Sequence, residues 1–307
     1  MRYSVAHTGK SVTGVLVLWA SGDKLIPKLE NNNMTEQGHG NHWECVEDMN
    51  NVLQKVLPSI VQEGTKVETS EIIADCFEYE IPSKTTIFSI TDEGELTAKI
   101  LIATNQEKQT NEVVSAYPCV QSKSSISLKI IKINEWQNLV EAVITGETED
   151  GQSISFFDTK YFFQKESYQI GKMFDFSVFA LGYDIEILKE NSFSFKGKEA
   201  LDWLAKSGQE PNYDENDNIE PVVFYLNELV AFLPTNENYP DDVEFQSPIK
   251  SVETIQAFDK DFYKINITIY RDPDIEIDLY VKTDFFDKEP QVNDAIRGII
   301  WLQGYKE

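Results

Sequence analysis

The fold prediction starts from two similar segments, YQIGKMFDFSVFALGY at residues 168–183 and PQVNDAIRGIIWLQGY at residues 290–305. Each segment is entered through a turn, continues as a strand-like run, and ends in an aromatic residue, two further residues and Gly-Tyr. Because the second segment lies 122 residues after the first, the pair indicates an internal repeat.

The repeat extends back from these two segments with the same displacement. Apolar positions correspond between the copies in the pairs Ile130 and Val252, Ile133 and Ile255, Trp136 and Phe258, Phe157 and Leu279, Phe163 and Phe285, and Phe179 and Trp301. Each copy predicts a strand, a long strand, a turn, a strand, a loop and a closing strand, with the turns at residues 149–151 and 271–273.

This order of strands resembles a five-stranded barrel of the OB type, in which short strands curl into a closed sheet. The resemblance covers residues 124–190 and 246–307 and includes no family motif. Because one fold hosts many functions, the resemblance implies an architecture and no activity.

We therefore predict a β-dominated α+β protein in three parts. Residues 1–123 form a mixed α+β domain. Residues 124–245 form an OB-like barrel with an acidic helical insertion at 191–245, and residues 246–307 form a second OB-like barrel.

Local patterns place the elements of the first domain. Residues 12–19 predict a strand, and apolar residues at spacings of three and four over residues 43–61 predict an amphipathic helix disturbed at Pro58. Strand-like runs at residues 85–90 and 95–104 flank Asp-Glu-Gly, which predicts a hairpin.

The insertion contains one predicted helix, at residues 197–208. Its C-terminal stop is Gly208, and its inward-facing residues are Ala200, Leu201, Leu204 and Ala205. Residues 221–233 follow as a strand-like run.

The composition is strongly acidic and excludes one class of function. The 307 residues include 27 Lys plus Arg and 52 Asp plus Glu, for a formal charge of −25. A protein that follows the phosphates of nucleic acid needs a basic surface, so direct nucleic-acid binding is not expected. The excess is concentrated in residues 124–245, where 9 basic residues face 23 acidic ones.

The number of cysteines and the length of the apolar runs indicate in which cellular compartment the protein is expected. Three cysteines do not make a disulfide framework, which favours a reducing cytoplasm. The apolar run at residues 12–20 is far shorter than the roughly 20 residues that cross a bilayer, so no membrane association is expected.

One strand carries a regular row of carboxylates. Asp272, Asp274, Glu276 and Asp278 alternate with apolar residues in RDPDIEIDLYV, so all four are predicted to lie on one face. Such a row indicates either a site for a basic protein partner or an exposed strand charged against edge pairing.

A second acidic group lies in the insertion, in YDENDNI at residues 213–219. The spacing of its polar residues is similar to that of a calcium loop, but Ile219 replaces the required Gly and Tyr225 replaces the bidentate Glu, so an EF-hand is excluded. Asp214, Glu215 and Asp217 are assigned to partner binding, with a solvated loop as the alternative.

The candidate metal ligands are His39, His42 and Cys45, in HGNHWEC. Imidazole and thiolate groups bind zinc, and His7 or Glu44 could complete the ligand set. The alternative is two loop histidines and a cysteine facing the core. No other cofactor is expected.

These patterns lead to one main functional hypothesis and two alternatives. The main hypothesis is a non-catalytic acidic protein that binds a basic protein, as an inhibitor, an immunity protein or a nucleic-acid mimic. The alternatives are a metal-dependent enzyme centred on His39, His42 and Cys45, and a structural or assembly component. The oligomeric state cannot be read from the sequence.

Overall fold

The computed structural model describes residues 39, 41–72, 85–105, 109–190, 192–235 and 237–307. The strand predicted at residues 12–19 and the candidate ligand His7 lie outside the described residues. The protein is β-dominated, as predicted.

The N-terminal part combines a short helical segment with a four-stranded sheet. Its elements are a 3₁₀ helix His42–Cys45, α1 Met49–Asn51, a π-helical turn Val52–Val56, α2 Leu57–Glu63, β1 Thr65–Ile72, β2 Thr85–Thr91, β3 Leu96–Asn105 and β4 Thr110–Val120. The four strands pair antiparallel in sequence order. The predicted hairpin is confirmed, because β2 and β3 pair across its turn.

The amphipathic helix predicted over residues 43–61 is confirmed from Met49 onward, with an irregular centre, whereas residues 46–48 separate it from the 3₁₀ helix His42–Cys45. Val52, Leu57 and Ile60 are buried on one face. The Leu57 N–H bonds to the carbonyl of Val52, five residues back, which is the spacing of a π-turn. Pro58 follows at once and has no N–H to donate, so the helical hydrogen bonds are interrupted where the sequence predicted a disturbance.

The described residues after β4 contain eleven strands and two α-helices. In chain order these are β5 Ile126–Glu135, β6 Ala142–Glu147, β7 Ser153–Asp158, α3 Tyr161–Gln164, β8 Met173–Ile187, β9 Ser192–Phe195, α4 Lys198–Ser207, β10 Val222–Tyr225, β11 Ala231–Pro234, β12 Asp242–Ala257, β13 Lys260–Tyr270, β14 Ile275–Lys282 and β15 Ala295–Lys306. The strand-like run predicted at residues 221–233 is thus two short strands with a 3₁₀ turn between them.

The pairing of these strands closes into two circuits of five strands each. In one circuit β5, β6 and β7 pair antiparallel, β7 pairs parallel with β15, and β8 joins β15 to β5. In the other, β12, β13 and β14 pair antiparallel, β14 pairs parallel with β8, and β15 joins β8 to β12. Both circuits therefore contain β8 and β15.

The two predicted copies contain their strands in the same order. The strands β7 and β8 begin at Ser153 and Met173, and β14 and β15 begin 122 residues later, at Ile275 and Ala295. The closing strand of each copy lies beside the third strand of the other copy. Strand pairing thus crosses the predicted boundary between residues 245 and 246, and the two copies interlock.

The insertion helix α4 is confirmed, and Gly208 ends it with a left-handed φ of 70°. Ala200 and Leu204 are buried as predicted. The prediction was wrong for Leu201 and Ala205, which are exposed, because α4 packs against only one short hairpin and buries a narrow stripe.

The N-terminal sheet is fixed to the circuits by buried polar contacts at one backbone carbonyl. The Thr159 oxygen accepts hydrogen bonds from Lys99 Nζ and from Tyr117 Oη, both at 3.0 Å. Beside it, the buried Asp158 carboxylate accepts hydrogen bonds from the Tyr168 hydroxyl and from the Lys160 N–H. Since Lys99 and Tyr117 lie on β3 and β4, this contact joins the two halves of the molecule.

We expect Gly304→Ala to destabilise the protein by about 1–3 kcal/mol, because overpacking a tight site costs that much. A Cβ at this position of β15 would lie 2.7 Å from the Ser177 carbonyl oxygen and 2.7 Å from the Phe156 ring. Urea unfolding measures the effect, with Arg297→Ala on the exposed side of the same strand as the control. Equal stability of the glycine variant and the wild type would contradict the close packing of β15.

We also expect Asp158 to make stability depend on pH. Burial raises the pKa of this carboxyl from 3.8 to about 6, despite the hydrogen bonds from Tyr168 and Lys160. The folded state therefore holds a proton that the unfolded state releases, so this group's contribution to stability falls by on the order of 2–3 kcal/mol as pH rises from 4 to 6.

The measurement is the difference in unfolding free energy between the wild type and Asp158→Asn across pH 4 to 7. That subtraction removes the opposite trend of Glu47 and Glu95, whose pKa values are lowered. A difference that stays constant over this range would show that Asp158 does not titrate as described.

Candidate functional site

The strongest local feature is a stretch of chain without positive side chains. Residues 207–249 contain ten Asp and Glu and no Lys or Arg. Eight of these acidic side chains are exposed: Glu210, Asp214, Glu215, Asp217, Glu220, Glu228, Glu237 and Glu244. Among the residues that the structure describes, no Lys or Arg side chain forms an ion pair with any of the eight.

The acidic loop within this stretch is built around Asp214. Its Oδ1 accepts hydrogen bonds from the backbone N–H groups of Asn216 and Asn218, both at 2.8 Å. These bonds stabilise the charged form and lower the pKa of Asp214. Asp214 therefore shapes the loop, while Glu215 and Asp217 remain exposed to solvent.

A small aromatic cluster supports the insertion. The strands β9 and β10 form an antiparallel hairpin, and Phe193 stacks on Phe224 with ring centres 4.8 Å apart. Trp203 of α4 meets Phe224 edge-on at 5.0 Å. These rings join the helix to the hairpin, so the acidic residues are presented by a folded unit.

The structure gives a different environment to the carboxylates of β14. Ile277 and Leu279 are buried, which confirms the predicted alternation. However, Lys250 lies 3.6 Å from Asp274 and 3.8 Å from Glu276, both measured from its Nζ atom.

Further cations of the same chain reach this row. Lys264 lies 3.5 Å from Asp278, and Arg271 lies 3.3 Å from Asp274. Three of the four carboxylates thus have cationic neighbours from the chain itself. Asp272 precedes the strand in a turn, with a left-handed φ of 58°.

The two edges of β14 differ in how far they are paired. This strand pairs with β13 along its length and with β8 at residues 278–280. At residues 275–277 the edge towards β8 has no partner strand among the described residues, so protection against edge pairing stays an alternative explanation for Glu276. The β14 turn meets the insertion where Arg271 donates to the Glu228 carbonyl at 3.4 Å.

His39 and His42 lie together in a buried polar cluster. Nε2 of His39 donates to Oε1 of Glu141 at 2.7 Å, since an ionised carboxylate can only accept. Nδ1 of His39 and Nδ1 of His42 are hydrogen-bonded at 2.9 Å. Glu141 also accepts from the Ser115 hydroxyl at 2.6 Å and from the Asn138 amide.

The two imidazoles face each other head-on. Their ring centres are 5.1 Å apart and their Nδ1 atoms 2.9 Å apart, so the line between the nitrogens runs nearly along the line between the rings. In a chelate both lone pairs would converge on a point beside that line. The geometry therefore favours a direct hydrogen bond, and burial keeps the pKa of His42 well below its ordinary value.

The third predicted ligand, Cys45, is buried and is not in a disulfide among the described residues. Burial and the nearby Asp242 carboxylate raise the pKa of its thiol, which disfavours the thiolate that zinc would need. Within the described ranges, no three His, Cys, Asp or Glu side chains are grouped to hold a metal ion.

Sequence reasoning missed two members of this cluster, Glu141 and Trp301. The Trp301 ring stacks on His42 at 3.7 Å, and its Nε1 donates to Asp241 at 3.0 Å. Glu141 is 102 residues from His39. Only strand pairing brings these residues together, so no local spacing could have identified them.

No protein-family model matches the chain, and no curated protein matches it either. None of the described helices is long and apolar enough to cross a membrane. Functional inference therefore depends on the geometry of the described residues.

We expect Glu141→Ala to lower the unfolding free energy by about 3–5 kcal/mol, because it leaves the buried His39 and the half-buried Ser115 and Asn138 without an acceptor. Chemical denaturation measures the loss. The control is Glu147→Ala, which removes a more exposed carboxylate that pairs with Lys129 at 3.2 Å and should cost less than about 1 kcal/mol. Similar losses in the two variants would mean that the buried cluster contributes little.

Proposed function

We propose that this protein is a non-catalytic binding protein that engages a basic protein partner through its acidic insertion, residues 191–245. The observation that carries the proposal is the set of exposed carboxylates in residues 207–249, which have no ion pair among the described residues. Uncompensated negative charge attracts a cationic partner over long distances and accelerates its association.

The carboxylates differ in what they can contribute to such an interface. Glu215 and Asp217 form no ion pair with any described residue and lie at an exposed loop, so they are the main candidates. Asp214 contributes charge while it holds the loop together. On β14, Asp274, Glu276 and Asp278 contribute less, because binding a partner there would first displace Lys250 or Lys264.

The proposed type of function is an inhibitor, an immunity protein or a nucleic-acid mimic. Each of these acts by offering negative charge to a basic surface that normally meets phosphates or another acidic ligand. An expected cytoplasmic location agrees with this role, and the described cysteines Cys45 and Cys119 are buried and are not joined in a disulfide.

The scaffold in this proposal is a pair of OB-like barrels. Each circuit has five strands, as a barrel of the OB type does, and the insertion leaves the scaffold between β8 and β12. A scaffold closed by strand pairing holds such an insertion in a fixed place, which reduces the entropy lost on binding.

The proposal predicts that reversing charge in the acidic loop slows association with the partner. The tagged protein first captures its partner from a lysate of the native host at about 0.1 M salt, and the purified partner is then used for kinetics. Glu215→Lys combined with Asp217→Asn should reduce the association rate roughly tenfold, with a weaker salt dependence. Asn is chosen because residue 217 has a left-handed φ of 59° that Asn tolerates.

The matched control is Glu149→Lys combined with Asp150→Asn, which makes the same charge change in an exposed turn elsewhere. This control should retain most of the wild-type association rate. If both pairs of substitutions slow association equally, the effect is net charge alone and the insertion is not the binding site.

A further inference from the structure

The hairpin of β9 and β10 has an apolar outer face that no described element covers. Phe224 points towards α4, and alternation along β10 places Val223 and Tyr225 on the opposite face. Their exposed fractions are 43% and 57%. The residues opposite them on β9 are Ser194 and Ser192, both exposed, so nothing on the hairpin itself shields this face.

Exposed apolar side chains are concentrated in this part of the molecule. Of the thirteen large hydrophobic side chains that are exposed among the described residues, seven belong to the insertion: Phe193, Leu201, Tyr213, Val223, Tyr225, Leu229 and Leu233. Single exposed apolar residues are ordinary, and of these seven Val223 and Tyr225 share the outer face of the hairpin, whereas Phe193 stacks on Phe224 on the other face.

The charge around the hairpin restricts what can cover it. Glu220 and Glu228 flank β10 at its two ends, and both are exposed without an ion pair among the described residues. Nucleic acid and an anionic membrane surface would both be repelled. A purely hydrophilic cationic partner would leave Val223 and Tyr225 in water. The complementary occupant is therefore cationic and apolar at once.

We propose that the outer face of the β9–β10 hairpin docks a basic amphipathic segment of a protein partner. The apolar side of that segment covers Val223 and Tyr225, while its Lys and Arg side chains meet Glu220 and Glu228. Tyr225 is the anchor, because tyrosine combines a large apolar ring with a hydroxyl and is enriched where binding energy is concentrated. This inference depends on the proposed function and adds the chemistry of the partner.

The test uses two fluorescent 18-residue peptides with the same number of lysines. In the first peptide, the lysines lie on one face of a helix and leucines on the opposite face. In the second peptide, serines replace the leucines. Anisotropy with the full chain at about 0.1 M salt should show that the leucine–lysine peptide binds at least tenfold more tightly than the serine–lysine peptide.

A substitution at the anchor makes the test specific to this face. Tyr225→Thr, which keeps a strand-favouring residue, should weaken binding of the leucine–lysine peptide about tenfold and leave the serine–lysine peptide unchanged. The control is Ile170→Thr. Ile170 lies outside the insertion and its side chain is 67% exposed, so this substitution should leave the affinities for both peptides unchanged. Thermal melting confirms that both variants fold.

The outcomes separate this inference from the proposed function. If both peptides bind equally, or if Tyr225→Thr has no more effect than Ile170→Thr, the apolar docking face is overturned while an acidic binding function stands. If neither peptide binds, or if Glu215→Lys with Asp217→Asn leaves both affinities intact, the acidic binding function itself is overturned.

Discussion

The pairing of β8 with β15 is the interaction on which the rest of the structure depends. These two strands run antiparallel from Ile187 opposite Ile296 to Phe176 opposite Lys306. Each of them also completes a circuit with strands of the other copy, through the parallel contacts with β14 and β7. Neither circuit closes without both strands, so the two copies form one cooperative unit.

The other parts of the molecule attach to this unit. Trp301 of β15 stacks on His42, and the carbonyl of Thr159, just after β7, accepts hydrogen bonds from Lys99 and Tyr117 of the N-terminal sheet. The insertion leaves at the end of β8 and returns at β12. The His42 turn and the start of the insertion are therefore positioned by the strands that the copies share, and the N-terminal sheet by the end of β7.

The distribution of charge follows from how the strands neighbour each other. On β14, cross-strand lysines on β12 and β13 lie beside the carboxylates and offset their repulsion. Residues 207–249 contain no Lys or Arg that could offset the repulsion between their carboxylates. Two acidic groups that looked alike in the sequence are thus different surfaces, one largely compensated by lysines and arginine and one without ion pairs among the described residues.

Sequence patterns predicted the elements governed by local rules and missed the contacts between distant residues. The alternation of Ile277 and Leu279 with carboxylates identified β14, and Gly208 identified the end of α4, because each pattern acts within one element. The pairing of Lys250 with Asp274 and of His39 with Glu141 depends on which strands are neighbours. The sequence also could not predict that the closing strand of each copy pairs with a strand of the other copy, because a repeat of 122 residues is compatible with separate or interlocked copies.

The stretch without Lys or Arg has a consequence for how this surface can be controlled. Acetylation and methylation of lysine, and attachment of ubiquitin, all require an amine that residues 207–249 do not offer. Proteases that cleave after Lys or Arg have no site between Lys206 and Lys250. The acidic surface is therefore out of reach of the commonest lysine-directed modifications, and its charge responds to ionic strength instead.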